Sequence, residues 1–240
     1  RRIGTLIIFH NITRIRRLER MHKDFAANVS HELKTPLTAI KGFIETLQEM
    51  LVNNDTQQSE KFLKIIEKNV NRMIELINDL LALSRLERLQ GTDIQYENQP
   101  MATLIQGAVN ICYARINAKN ITVSIYCPED LNCRVDPILM EQAIINLVDN
   151  AVKYNPEGSQ IAIAVTRQDH SLDIEIKDNG IGIDKEHLPK IFNRFYRIDR
   201  GRSRNEGGTG LGLAIVKHII QYHNGKIDVE SIKGSGSCFK

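Results

Sequence analysis

The sequence predicts two folded parts, an α-helical hairpin forming a dimeric four-helix bundle and, after it, an α/β sandwich with helices on one face of a mixed sheet. Three observations carry this. Apolar residues recur at steps of three and four along two long segments joined by a short turn. The stripe on the second segment is wider than one partner helix needs, so the hairpin buries it best against a copy of itself. Beyond Gly91 the pattern becomes short strands alternating with helices and two glycine-rich stretches.

Leu6 to Phe9 form a short apolar strand with no partner nearby in sequence, and a lone strand leaves its backbone groups unsatisfied. Residues 1–13 are therefore read as the remnant of an upstream domain. The chain begins and ends abruptly, as expected of a fragment of a longer protein. From Thr13, the positions Leu18, Met21, Phe25, Val29, Leu33, Leu37, Ile40, Ile44, Leu47 and Leu51 place one stripe on one helix. Asn53 to Thr56 is a turn carrying a cap for the next helix. That helix repeats Leu63, Ile66, Val70, Met73, Ile77 and Leu80, widened by Phe62, Ile74, Leu76, Leu81 and Leu83. Residues 14–90 thus form the dimerising unit and residues 91–240 the second one. In the latter, strands are expected near 94–98, 121–127, 133–135, 161–167, 172–177, 226–230 and from 237. Helices are expected over 101–118, 137–154, near 186–192 and over 211–223, with Pro137 a good first helical residue after the Asp136 cap.

A formal charge of +3 over 240 residues, with basic residues scattered except for a run at 14–20, argues against nucleic acid as a partner. Cys112, Cys127, Cys133 and Cys238 have neither metal-ligand spacing nor a disulfide framework, which fits a reduced, cytosolic setting. Cys112 continues an apolar face with Ile105 and Ile116, and Cys127 and Cys133 are expected to face each other across a hairpin. No apolar run is long enough to cross a bilayer, and no secretory signal opens the chain.

His31 is off the buried stripe of the first helix, with Glu32 beside it and Thr35 one turn on. Pro36 removes the amide that would bond the carbonyl of Glu32, so the helix should bend or loosen just after the histidine. The remaining histidines lack a paired acid at useful spacing and are read as surface or capping residues. In the second unit, Asn146, Asn150, Lys153 and Tyr154 share a helix face that could offer amide oxygens to a cation and an ammonium to a phosphate; an ordinary wet face reads the same way. Asp178-Asn-Gly180-Ile-Gly182 follows a strand, where glycines admit a ligand and the carboxylate can accept from an exocyclic amine, though a simple turn has the same residues. Gly207-Gly-Thr-Gly210-Leu-Gly212 opens a helix whose free amides suit an anion, without the lysine of a Walker A loop. Between them, aromatic residues at 192–196 anchor a polar, arginine-rich segment that should be mobile. Together these describe a nucleotide pocket with a movable lid.

These stretches resemble the boxes of the sensor histidine kinases of two-component signalling. Ser30-His31-Glu32-Leu-Lys-Thr35-Pro36-Leu is similar to the H box, 146–154 to the N box, 178–182 to the first glycine box, 192–196 to the F box and 208–212 to the second glycine box, in that order, over about residues 14–240. Residues 4–13 resemble the last strand of a PAS domain, with Asn11 where Asp is commoner. The H box is similar to the PhoR subgroup, which implies the cytoplasmic portion of a membrane-anchored sensor responding to phosphate limitation, attached through segments this sequence lacks. The implied fold is a dimerisation and phosphotransfer hairpin followed by the Bergerat, or GHKL, ATP-binding sandwich. The resemblance implies that His31 attacks the γ-phosphate of ATP, that Glu32 bonds its Nδ1, and that Thr35 positions water for dephosphorylating a partner response regulator. It implies that Asn150, with Asn146, holds Mg²⁺, that Lys153 and Arg197 neutralise the phosphates, that Tyr154 stacks on adenine and that Asp178 accepts from its amine. Gly180, Gly182, Gly208, Thr209, Gly210, Leu211 and Gly212 complete the cofactor site. A homodimer and a receiver domain are the implied partners. The competing readings are a GHKL-type ATPase and a phosphatase-only dimeric signalling module.

Overall fold

The computed structural model describes residues 11–51, 56–88, 94–168, 171–198 and 208–240. The expected strand at 6–9, the turn before Thr56, the boundary at Gly91, Gly207 and the arginine-rich segment at 199–207 lie outside these residues. The chain divides into two compact units, residues 1–73 and 74–240.

In the first unit, α1 (Thr13–Leu51) is amphipathic and continues through Pro36, which is buried. The beginning of α2 (Thr56–Arg88) packs on it, with the rings of Phe43 and Phe62 5.3 Å apart. Phe25, Val29, Leu33, Ile40 and Leu47 are half-buried, whereas Leu37 and Leu63 remain 57% and 56% exposed. The expected single stripe therefore divides into positions that face the neighbouring helix and positions left uncovered.

In the second unit the end of α2 contributes the buried Leu76, Leu83 and Leu86. The remaining elements are β1 (Glu97–Pro100), α3 (Met101–Ala118), β2 (Thr122–Tyr126), β3 (Asn132–Val135), α4 (Pro137–Tyr154), β4 (Gln160–Gln168), β5 (Ser171–Asp178), α5 (Gly212–Tyr222), β6 (Val229–Ile232) and β7 (Gly236–Phe239). The main sheet has the order β2-β4-β5-β7-β6, and a separate ribbon pairs β1 with β3. Within the main sheet only β2 and β4 run parallel, as the α4 crossover between them requires. Along β4, buried Ile161, Ile163 and Val165 alternate with half-exposed Ala162 and Ala164, the pattern of a sheet covered on one face. Ile105, Cys112, Ile144, Val148, Ile215 and Ile219 supply the helical side of that core. The start of α4 is set locally: Asp136 accepts a hydrogen bond from the amide of Leu139 at 3.1 Å, and Pro137 takes the first turn.

Four local expectations are corrected. The strand near 94–98 forms instead at Glu97–Pro100, where Glu97 pairs with Val135 and Pro100 with Asn132. The helix near 186–192 is reduced to a 3₁₀ turn, Leu188–Lys190, because the chain then reverses so that the amide of Phe195, at φ 60°, donates to the carbonyl of Gly210 at 2.8 Å. The strand at 226–230 becomes Val229–Ile232, since its register is set by β7 across a turn in which Gly234 has φ 82°. Cys127 and Cys133 do not share a hairpin: β2 joins the main sheet and β3 the small ribbon, and all four cysteines are free.

Candidate active site

His31 is exposed on α1, on the face away from the half-buried positions. Thr35 donates its hydroxyl to the carbonyl of His31 at 3.1 Å, a local bond that a threonine one turn on readily makes. The carboxylate of Glu32 accepts from Arg72 Nη2 at 2.7 Å, with both side chains less than one-fifth exposed. Sequence reasoning missed Arg72; its signal was a charged residue on the inward side of α2, adjoining Met73 and one turn before Leu76.

In the second unit two cavities adjoin, sharing Asn150, Tyr154, Tyr196 and Arg197 in their walls. The first, of about 410 Å³, is mostly apolar, with Asp178, Asp184, His187, Arg197 and Lys233 among its polar lining. Asp178 Oδ1 accepts from the amide of Gly180 at 2.8 Å and of Ser237 at 3.3 Å, which leaves the other oxygen for a ligand. Burial pushes its carboxyl above the ordinary range, and those two N–H groups pull the other way. Gly180 and Gly182 are required by space: a Cβ would stand 1.8 Å from Asn155 Oδ1 at the one and 2.0 Å from the Ile232 carbonyl at the other, where φ is 63°. His187, expected as a surface residue, lines this cavity half-buried, with Nδ1 2.8 Å from the hydroxyl of Tyr196. The turn that replaces the expected helix carries it there.

The second cavity, of about 270 Å³, brings together Asn146, Asn150, Lys153, Arg197, Gly208, Thr209, Gly210 and Gly212. A Cβ at Gly212 would lie 3.3 Å from Asn146 Oδ1, so the start of α5 closes directly on α4. Leu211, expected at the ligand, is a core residue with 0% exposure; its amide donates to Thr209 Oγ1 at 3.2 Å. Leu211 lines neither cavity, whereas its neighbours Gly210 and Gly212 line the second. Lys153 Nζ lies 2.7 Å from Asp149 Oδ2, and Arg115 Nη1 lies 2.6 Å from Asp149 Oδ1. Arg115, Asp149 and Asp79, which the hydroxyl of Thr209 meets, also line this cavity and were missed by the sequence reading. The neutral amide oxygens of Asn146 and Asn150 suit a cation that brings waters and phosphate ligands of its own.

Comparison with known proteins agrees with this division of labour. Residues 135–240 match the family of histidine kinase-, DNA gyrase B- and HSP90-like ATPases, and residues 21–89 match the His Kinase A (phospho-acceptor) domain. The chain is 39% identical over 236 residues to the phosphate regulon sensor protein PhoR of Pseudomonas aeruginosa, covering 98% of this chain and 52% of that protein. It is 35% identical over 238 residues to the sensor histidine kinase WalK of Bacillus subtilis, covering 98% of this chain and 38% of that protein. The chain thus spans about half or less of these relatives. Its fold is similar to that of the histidine kinase ThkA, solved in complex with the response regulator protein TrrA, with a TM-score of 0.75, 26% identity and coverage of 95% of this chain and 63% of that one.

Proposed function

The chain belongs to the sensor histidine kinases of two-component systems, and from that premise we propose that it phosphorylates His31 from ATP and passes the group to an aspartate of a response regulator. The observation that carries the reading is the paired cavity, with a fixed carboxylate in its apolar end and Lys153 and Arg197 in the polar end. Asp178 receives the adenine amine, Tyr154 covers the ring, and Lys153 and Arg197 balance charge on the phosphates. Gly180 and Gly182 let the backbone close on the base, and the loop 208–212 closes on the phosphates. Mg²⁺, when bound through Asn150 with Asn146, would neutralise phosphate charge.

The neutral imidazole of His31 attacks through Nε2; a nitrogen–phosphorus bond forms, the bond from the γ-phosphorus to the bridging oxygen breaks, and ADP leaves with that oxygen. Glu32, held by Arg72, takes the Nδ1 proton. Thr35 positions a water for removing the phosphoryl group from the regulator. Residues 14–90 act as the phosphotransfer unit and 91–240 as the ATP-binding unit, with 1–13 left from a sensor domain; the two family matches lie inside these bounds. The exposed Leu37, Ile44, Leu63 and Val70 support a homodimer. The likeness to a phosphate regulon sensor supports a membrane-anchored parent responding to phosphate limitation, although no helix among the described residues is long and apolar enough to cross a membrane.

The test is incubation with γ-labelled ATP and Mg²⁺, followed by acid and base treatment, for wild type and His31→Gln. Label that survives base, is lost in acid and vanishes in the variant establishes phosphohistidine at this position. Multiple-turnover ATP hydrolysis indifferent to the substitution would instead identify a GHKL-type ATPase, and dephosphorylation of a regulator without self-labelling a phosphatase-only module.

A further inference from the structure

Asp149 stands between two cations from different helices. Lys153 is one turn along α4 from it, and Arg115 reaches across from the last turn of α3. Each cation addresses its own carboxylate oxygen, at 2.7 and 2.6 Å. The Arg115 approach is an ion pair without hydrogen-bond alignment, since buried Asp149 Oδ1 accepts no such bond among the described residues. Asp149 and Lys153 keep 15% and 16% of their side chains exposed, Arg115 47%.

This arrangement resolves a conflict in the cavity. A lysine on a four-carbon stem needs a tether if it is to point at one place, yet a carboxylate 2.7 Å away cancels most of the attraction it can offer an anion. With one carboxylate between two cations the cluster keeps a net positive charge. Once the guanidinium occupies the carboxylate, the ammonium can turn toward a phosphate without leaving a buried charge unpaired.

We propose that Arg115 is a positioning residue for the nucleotide's phosphates, acting through Asp149: it holds that carboxylate so that Lys153 stays aimed into the cavity and its charge remains available to a polyphosphate. The inference rests on the reading of this cavity as the phosphate end of an ATP site. Arg115 itself does not touch the nucleotide.

The test compares ATP with adenosine binding by titration calorimetry, in wild type, Arg115→Ala, Arg115→Gln, Arg115→Lys, Asp149→Asn and the double variant Arg115→Ala/Asp149→Asn. The expected result is that Arg115→Ala and Arg115→Gln weaken ATP about three- to tenfold, as a half-exposed charge allows, and leave adenosine unchanged. Arg115→Lys recovers most of the affinity. In the Asp149→Asn background, where no carboxylate competes for Lys153, the Arg115→Ala loss shrinks to within about twofold. A loss that persists in full in that background would mean that Arg115 meets the phosphates directly and overturns the proposal, as would an unchanged ATP affinity in both charge-removing variants. A wild type that binds ATP no better than adenosine would refute the phosphate-site reading itself, a result separable from either of these.

Discussion

The hydroxyl of Thr209 donates to Asp79 Oδ2 across 2.5 Å, joining the second glycine-rich loop to the last part of α2. The same Thr209 oxygen accepts from the amide of Leu211 at 3.2 Å, so one buried hydroxyl links a carboxylate to the start of α5. Tyr222 adds a bond to the carbonyl of Leu86 at 2.6 Å, and Arg194 pairs with Glu87. The end of α2 is therefore stitched to the nucleotide-binding unit by side chains on both sides of the glycine loop.

Burial raises the carboxyl of Asp79 above its ordinary 3.8, with the Thr209 bond and the charge of Lys153 acting in the opposite direction. A raised carboxyl in the folded state favours folding fully below 3.8, and that advantage is lost as pH rises through the folded value. Asp79→Asn keeps an acceptor for Thr209 and removes the charge. The variant should match wild type in urea midpoint below about pH 4 and become the more stable of the two at neutral pH. A gap between the two that narrows with rising pH would contradict this account of the carboxyl.

Glycine tolerance should separate sharply by position. Gly182 has φ 63° and a Cβ would meet the Ile232 carbonyl at 2.0 Å, so Gly182→Ala should destabilise by more than about 2 kcal/mol and lose ATP binding. Gly42 lies in α1 with nothing within 4 Å of its would-be Cβ, and Gly42→Ala should stabilise by about 0.5–1 kcal/mol. Denaturant unfolding with ATP titration reads both; equal effects at the two sites would remove the case for close packing at Gly182.

The uncovered apolar face makes a prediction about assembly. Leu37→Glu and Leu63→Glu each put a charge where a second chain would bury apolar surface, at positions 57% and 56% exposed in one chain. Sedimentation should show a dimer for wild type and a monomer for either variant, with the helical signal of the monomer reduced. A wild type that sediments as a monomer would leave the face without the proposed partner.

Helices α3 and α4 form over the residues expected, 101–118 and 137–154, because their determinants are local: an apolar period of 3.6, the Asp136 cap, and Pro137 in the first turn. His31 on an exposed face, and the gathering of Asn146, Asn150 and Lys153 on one side of α4, follow from the same periodicity. The cavity partners Arg115, Asp149 and Asp79 were not legible. Each is an ordinary charged residue on a helix, and nothing within its own segment distinguishes a solvated ion from one that meets a residue 34 or 130 positions away. His187 escaped notice for the same reason, since its place beside Tyr196 depends on a chain reversal that closes on Gly210.

Local chemistry in the chain decided the long helices α1 to α4, the first of which runs on through Pro36, and which residue types are present to bind a nucleotide. Tertiary structure decided the register of β6, the sheets to which β2 and β3 belong, and the partners that Glu32, Asp149 and Thr209 meet on other elements. The reason is range: backbone propensity and side-chain periodicity act over a few residues, while strand register and ion pairing are settled by which distant surfaces exclude water together.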